Sequence, residues 1–319
     1  MKISCIINNY NYCKYLGDAI ESALFQTRPF DEIVIVDDGS TDGSRDVLSG
    51  YQSNPRVKII LKDNAGQLSA FNAGFEVSSG DWICFLDSDD RYKPDFLEKM
   101  EKTALEKEKV DFLFCKREYI NENGESIPVR YRDRYARDID YGYTIAKTYY
   151  AFSYTGQPTS LNMIKRNVLE RILPFDMLEE FRVCADIVLI QGASLVGARK
   201  YLMDKRLVEY RVHGENAYHG IRRGADVLFM EKLSKLRMMD IFVDRCIKMD
   251  RRRLKELIAE EYKTKPARHA REMMIYIYVT LVSELHFFRK IETLLKILKS
   301  HLKKNGKMQS CVTETIERL

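Results

Sequence analysis

The 319-residue chain contains no G-x-G-x-x-G run and no G-x-x-x-x-G-K-[ST] run, which weakens the case for a dinucleotide fold or a nucleotide-binding P-loop. Cysteine is sparse and unpatterned. The seven residues Cys5, Cys13, Cys84, Cys115, Cys184, Cys246 and Cys311 are odd in number and form no C-x-x-C pair, which argues against a disulfide framework and a zinc site and fits a reducing cytoplasm. Long apolar runs are also missing. The strongest, Met273–Phe288, is broken by Glu284 and falls short of the ~20 residues that a spanning helix needs. Met1–Asn8 carries one charged side chain and a brief apolar run, so it reads as the start of a buried strand rather than a signal peptide. Neither an internal repeat nor a low-complexity tract is present.

What the chain does have is a globular balance, 45% hydrophobic and 31% charged residues, and enough length for one large domain or two of ordinary size. The net charge of +5 conceals an asymmetry. Residues 220–319 hold 23 Lys+Arg against 13 Asp+Glu, or +10, which leaves 29 against 34, or −5, for residues 1–219. The two parts are therefore expected to do different work.

Short β-branched runs alternate with helical patterns over residues 2–115: Ile3–Ile7, Tyr15–Gln26, Glu32–Val36, Ser44–Tyr51, Val57–Leu61, Leu68–Val77, Trp82–Leu86, Asp95–Glu106 and Phe112–Cys115. That order predicts an α/β fold with a mostly parallel open sheet flanked by helices. Leu16, Ile20, Ala23 and Leu24 share one helical face, and Thr41 and Pro94 read as helix starts. The strands lack polar alternation, as strands covered on both faces do. Ligands of such sheets bind beyond the carboxyl ends of the strands. The polar segments Asn8–Tyr12, Asp37–Asp42, Asp63–Gln67 and Asp87–Asp90 are therefore expected to share one crevice. Residues 116–219 are less regular, with a Tyr-rich stretch from Tyr119 to Tyr154 and a helix expected near Asp186–Ala198.

Two of those segments carry paired carboxylates directly after a buried strand. Asp87, Asp89 and Asp90 offer hard oxygen ligands suited to Mg²⁺ or Mn²⁺, and an ion there could bridge the phosphates of a nucleotide-sugar. Asp37 and Asp38 could accept hydrogen bonds from a ribose hydroxyl or a base N–H. Taken alone, each segment reads equally well as a turn that caps the next helix. Asn8 and Tyr10 add an amide and an aromatic face for a nucleobase.

Together, Asn8-Asn9-Tyr10-Asn11-Tyr12, Val36-Asp37-Asp38-Gly39-Ser40-Thr41-Asp42, Asn64-Ala65-Gly66-Gln67, Asn72-Ala73-Gly74 and Phe85-Leu86-Asp87-Ser88-Asp89-Asp90 resemble family 2 glycosyltransferases in order and spacing, over about residues 1–219. The resemblance implies a GT-A fold, a nucleotide-diphosphate sugar donor, UDP by preference, inversion at the anomeric carbon, and a glycan or lipid-linked acceptor. It implies that Tyr10 lies against the base, that Asn8 and Asp38 hold the uridine, and that Asp87 contacts the ribose or a metal-bound water. Asp89 would ligate the metal with Asp90. Cys184-Ala185-Asp186-Ile187-Val188-Leu189 resembles the segment that carries the family's general base, which nominates Asp186, although Ala185 stands where an acidic residue is commoner. Tyr210-Arg211-Val212-His213-Gly214-Glu215-Asn216 resembles the segment that closes over the diphosphate, with His213 completing the metal shell and Arg211 structural. Gln157-Pro158-Thr159-Ser160 would line the acceptor side.

The expected organisation is thus a catalytic domain over 1–219, comprising a nucleotide-sugar half (1–115) and an acceptor-side half (116–219), followed by a basic helical region over 220–319. In that region Ile291, Leu294, Leu295, Leu298 and Leu302 share a face, with Lys290, Lys296, Lys299, Lys303 and Lys304 largely off it. Packing of that face on the catalytic domain or on a second subunit is the first expectation. Peripheral contact with the inner face of a membrane is the second, and nucleic-acid binding is not expected. Two rival functions remain at this point: a nucleotide-sugar binding module without chemistry, and a sugar nucleotidyltransferase. The latter usually has a basic glycine-rich loop after its first strand, where this chain has Asn8–Tyr12.

Overall fold

The computed structural model describes residues 1–128, 137–214, 224–247, 251–265 and 269–304. Asn216, Lys307, Cys311 and the expected boundary at residue 219 lie outside them, as do the side chains of Cys246, Lys303 and Lys304. The strands are β1 (Ile3–Asn9), β2 (Glu32–Asp38), β3 (Val57–Lys62), β4 (Trp82–Asp87), β5 (Arg91–Tyr92), β6 (Phe112–Ile120), β7 (Ile139–Gly142), β8 (Asn162–Lys165) and β9 (Lys200–Arg211). They form one sheet in the order β3-β2-β1-β4-β8-β6-β9-β5, with β7 on β9. Strands β1 to β4 are mutually parallel. Antiparallel β8 links β4 to β6, and β6 runs parallel to β9. The expected parallel sheet is therefore present, with antiparallel strands inserted beyond β4.

Helices cover both faces. On one, α1 (Cys13–Leu24) and α4 (Phe96–Glu106) bury Leu16, Ile20, Ala23, Phe96, Leu97 and Met100 against Ile3, Cys5, Ile7, Ile33 and Ile35. On the other, α3 (Gln67–Val77) and α7 (Asp186–Leu195) bury Leu68, Phe71, Val188 and Leu189 against Ile6, Val34, Val36, Ile83 and Phe85. Alternate side chains of each strand thus enter opposite cores, which explains the unbroken apolar runs Cys5–Ile7 and Ile33–Val36. The helix after β2, α2 (Ser44–Ser49), begins later than Thr41 suggests. Asp42 does the capping work instead: one carboxylate oxygen accepts from the Ser44 backbone N–H at 2.9 Å and the other from Cys13 N–H at 2.9 Å. No disulfide joins the described cysteines.

Short helices α5 (Ile145–Ala151) and α6 (Arg166–Leu169) flank β8, and the basic region folds as α8 (Ala225–Phe242), α9 (Leu257–Lys263), α10 (Ala270–Val282) and α11 (Phe287–Lys304). These helices are not a free appendage. Met238, Met239 and Phe242 of α8 join the core beneath α7, with Phe242 stacked on Phe175 at 4.8 Å. Ile258, Tyr262, Tyr276, Val279 and Ile297 form a satellite core with Ala146 of α5. The apolar stripe of α11 is turned from the expected one: Ile297 is its fully buried side chain, whereas Ile291 and Leu298 stay exposed. Among the described residues no helix is long and apolar enough to cross a membrane.

Candidate active site

Strand register creates the site. Asn8 pairs with Asp87 across β1 and β4, Asn9 with Asp37 across β1 and β2, and Asp38 with Lys62 across β2 and β3, so the polar strand ends stand side by side. They open into a cleft of about 1110 Å³ whose walls include Asn8–Tyr12, Asp38, Asn64, Gly66, Gln67, Asp87, Ser88 and Asp89. The four polar segments therefore do meet. The rest of the lining includes Arg117, Tyr119, Tyr154, Gln157–Thr159, Arg182, Asp186, Tyr210 and Lys235.

Among the strand-end residues, Tyr10 is 47% exposed on the turn after β1. Asn11, at φ 59°, locks that turn by accepting from the Thr41 N–H at 2.7 Å, while its own N–H donates to Ser40 Oγ. The Asn8 side chain hydrogen-bonds to Asp87, yet its Oδ1 is buried without a protein partner, an acceptor left over for a ligand. Asp38 is held by Lys62 Nζ at 2.5 Å and by the backbone N–H groups of Ala65 and Gly66 at 3.1 and 2.7 Å. Gly66 has φ 90°, and a Cβ there would lie 2.5 Å from Arg182 Cα. Only glycine lets this turn close on the Arg182 loop.

Asp87, Asp89 and Asp90 can each place one carboxylate oxygen within 4.8 Å of the others. Burial, reinforced by the Asp89 charge, pushes Asp87 up to about 7. Burial, with Asp89 and then Asp87, holds Asp90 well above the usual carboxylate range. Three crowded acids at this cost fit a divalent cation, whose charge would relieve both effects. Asp90 stands behind the cleft wall, accepting from Ser160 Oγ at 2.6 Å and from the Arg211 N–H at 2.9 Å. His213 also stands behind it, its Nε2 3.1 Å from Asp89 Oδ2 and its ring against Tyr12 and Tyr15. Arg211 is a fully buried clamp: its Nε donates to the Asp89 carbonyl at 2.8 Å, Nη2 to Asp18 at 2.9 Å, and its plane lies over Tyr15.

Asp186 opens α7 and also lines the cleft. Its Oδ2 accepts from the Tyr154 hydroxyl at 2.6 Å. Burial raises its pKa, opposed first by that hydrogen bond, then by the Ile187 N–H and more weakly by the Lys235 charge. Cys184, two residues earlier, has φ 61°, a left-handed conformation that costs a non-glycine residue of order 1 kcal/mol and gathers at functional sites. Gln67 ties the acidic cluster to this segment. Its Nε2 donates to Asp87 Oδ1 at 2.9 Å and its Oε1 accepts from the Ala185 N–H at 2.9 Å, so one amide fixes the acidic cluster relative to Asp186. Nothing in the local sequence marks Gln67 as a bridge, and Arg117, Tyr154, Arg182 and Lys235 sit in no recognisable motif. The Tyr-rich composition of 119–154 was the one hint of Tyr154, and nothing pointed to Lys235.

The comparisons agree with this architecture. The family model described as glycosyl transferase family 2 matches residues 4–173. An uncharacterised glycosyltransferase of Nostoc sp. is 38% identical over 218 residues, 68% of this chain and 66% of that protein. A chondroitin synthase of Pasteurella multocida is 36% identical over 126 residues, 39% of this chain and 13% of the synthase. The chain therefore aligns with less than two thirds of either relative. Among solved structures, residues 1–349 of S. aureus TarS in complex with UDP-GlcNAc superpose with a TM-score of 0.57 at 17% identity, covering 97% of this chain and 93% of that one, which is a likeness of fold. With the matched segment spanning more than half of the sequence and carrying every acidic strand end of the cleft, the chain belongs to glycosyl transferase family 2.

Proposed function

We propose that this glycosyltransferase moves a sugar from a UDP-sugar to a hydroxyl of a glycan or lipid-linked acceptor, with inversion, working in the cytoplasm or at the inner face of the membrane. The observation that carries this reading is the Gln67 bridge, which ties the carboxylate cluster to the residue preceding Asp186 within one cleft. The cleft exceeds the roughly 300–1,000 Å³ of a single-ligand pocket, so donor and acceptor fit together. In this reading Tyr10 stacks on the base, Asn8 Oδ1 and Asp38 receive uridine donors, and Asp87 lies nearest the ribose. UDP is supported by the fold neighbour TarS, described with UDP-GlcNAc and with UDP.

Asp89 and Asp90, with His213 behind Asp89, would hold Mn²⁺ or Mg²⁺, which when bound offsets the charge developing on the diphosphate. Asp186 takes the proton of the acceptor hydroxyl as that oxygen bonds to the anomeric carbon. The bond from that carbon to the diphosphate breaks on the opposite side, and the electron pair leaves on UDP. Burial suits Asp186 to this work by making its carboxylate a better proton acceptor than an exposed aspartate. The basic helices would receive the acceptor's surroundings, a lipid surface or a second subunit, and residues 1–219 and 220–319 would divide catalysis from that contact.

Calorimetric titration with UDP, GDP and dTDP, in Mn²⁺ and then in EDTA, tests the donor. Metal-dependent binding of UDP is expected, and no binding of any diphosphate would sink the reading. Asp186→Asn should keep UDP affinity and lose turnover of UDP-sugar, measured as released UDP, by roughly 10²–10⁴-fold. Unchanged turnover in that variant would remove Asp186 as the base.

A further inference from the structure

The cations of the cleft are not equivalent. The Arg182 guanidinium is engaged by Glu179 at 3.1 Å and by the Asn64 side chain. Arg117 donates from Nε to the Tyr119 hydroxyl at 2.7 Å and lies 5.0 Å from the centroids of both the Tyr119 and Tyr210 rings. Lys235 differs from both. It lines the cleft in a half-buried position, and no hydrogen bond or ion pair to a described residue holds its ammonium.

Its place on α8 is equally specific. Lys235, Met238, Met239 and Phe242 recur at i, i+3, i+4 and i+7, a single helical stripe, and the last three are fully buried beneath α7. The stripe that anchors α8 in the core thus continues through position 235, where it meets the open cleft beside Asp186 instead of apolar side chains. A lysine there gives up part of its hydration and meets the Asp186 charge only beyond ion-pair distance, so its ammonium keeps donors for an anionic ligand. Lys235 also opposes proton uptake by Asp186. A bound anion would cancel that opposition at the moment a base is needed.

We propose that the acceptor end of the cleft is an anion-binding subsite in which Lys235 receives a carboxylate or phosphodiester carried by the sugar acceptor. The C-terminal region then contributes directly to substrate choice. This inference rests on the transferase reading above, because it assigns the donor to the strand-end residues.

The test uses the full chain saturated with UDP and Mn²⁺ and compares two matched pairs of probes by ligand-observed NMR titration. Methyl β-D-glucuronide against methyl β-D-glucoside reads the carboxylate, and glycerophosphoglycerol against diglycerol reads the phosphodiester. In at least one pair the anionic member should bind about tenfold more tightly, and that pair identifies the source of the charge. Lys235→Ala should abolish the preference and Lys235→Arg should retain it, with UDP affinity and melting temperature unchanged in both. The proposal is overturned if neither pair is discriminated, if discrimination survives Lys235→Ala, or if Lys235→Ala weakens UDP instead, which would make the lysine a donor contact. Failure of the wild-type protein to bind UDP is seen before any probe is added and overturns the donor reading together with the inference built on it.

Discussion

At Asp186, the proposed general base, burial and a single hydrogen bond pull the carboxyl in opposite directions. Asp186 is raised by burial and brought partly back by the Tyr154 hydroxyl, which stabilises the carboxylate. A base acts only when deprotonated, so activity should be lost as pH falls through this raised value, at a higher pH than for an exposed aspartate. Tyr154→Phe removes the stabilising donor and should move the acid limb of the kcat/KM profile further up. Because hydrogen bonds to charged groups are worth ~1.5–3 kcal/mol, a loss of roughly tenfold or more is expected on the acid side, shrinking as pH rises. A profile lowered equally at every pH would mean that Tyr154 only shapes the pocket. The place of Asp186 at the head of a helix was legible from a short local segment, whereas its contact with Tyr154 was not. The two residues meet through a turn with left-handed Phe152, at φ 50°, and no spacing rule records such an encounter.

At the scale of elements, α7 is held to the segment around Thr155 by a buried lysine. Lys200, at the start of β9, is fully buried; its Nζ donates to the carbonyls of Thr155 at 2.9 Å and Ile190 at 2.6 Å and sits over the Phe112 ring. Burial drives its pKa well below the ordinary lysine range. The unfolded chain therefore binds more protons than the native one between that lowered value and ~10.4, and stability contributed at this site rises with pH across the window. Lys200→Met should cost about 1–3 kcal/mol, chiefly through the Thr155 carbonyl it leaves unpaired, since the Ile190 carbonyl keeps the Ser194 hydroxyl. The gap from wild type in urea denaturation should widen as pH rises; a gap independent of pH would mean that the amine is charged in the native protein. Strand β9 itself was not anticipated. Its sequence Lys200–Arg211 carries Asp204, Lys205 and Arg206 in mid-strand, opposite a register shift around Lys116 of β6, so it has neither the continuous apolar run of β1 nor regular alternation. Strands β1, β2 and β4 were legible because both of their faces are buried, and the edge strand β3 was legible from its apolar run although Lys58 and Leu61 are exposed. Beyond β4 the sheet is shaped by a bulge and antiparallel insertions, whose partners lie far apart in sequence.

Across the whole molecule, charge and exposed apolar surface point the same way. Residues 220–319 carry +10 against −5 for the rest, and in the same region Phe287 and Phe288 are 71% and 81% exposed, next to Arg289 and Lys290. Met274 and Tyr278 on α10 are exposed as well. The satellite core buries the other side of these helices, through Tyr276, Val279 and Ile297, so packing within the chain satisfies one face and leaves this one for a partner. Two adjacent phenyl rings bordered by cations match the interfacial zone of an anionic bilayer, where apolar insertion adds to about 1 kcal/mol per basic residue near the surface. The protein should therefore sediment with phosphatidylglycerol-containing vesicles and not with pure phosphatidylcholine. Raising the salt to about 0.5 M, where screening shortens to a few ångströms, should release much of it. Phe287→Ser combined with Phe288→Ser should weaken vesicle binding about tenfold or more while leaving UDP affinity intact, since neither ring lines the cleft. If the double variant instead turns an oligomer into a monomer in sedimentation experiments and vesicle binding is unaltered, the face joins two copies of the chain. The acceptor would then have to reach the cleft from solution.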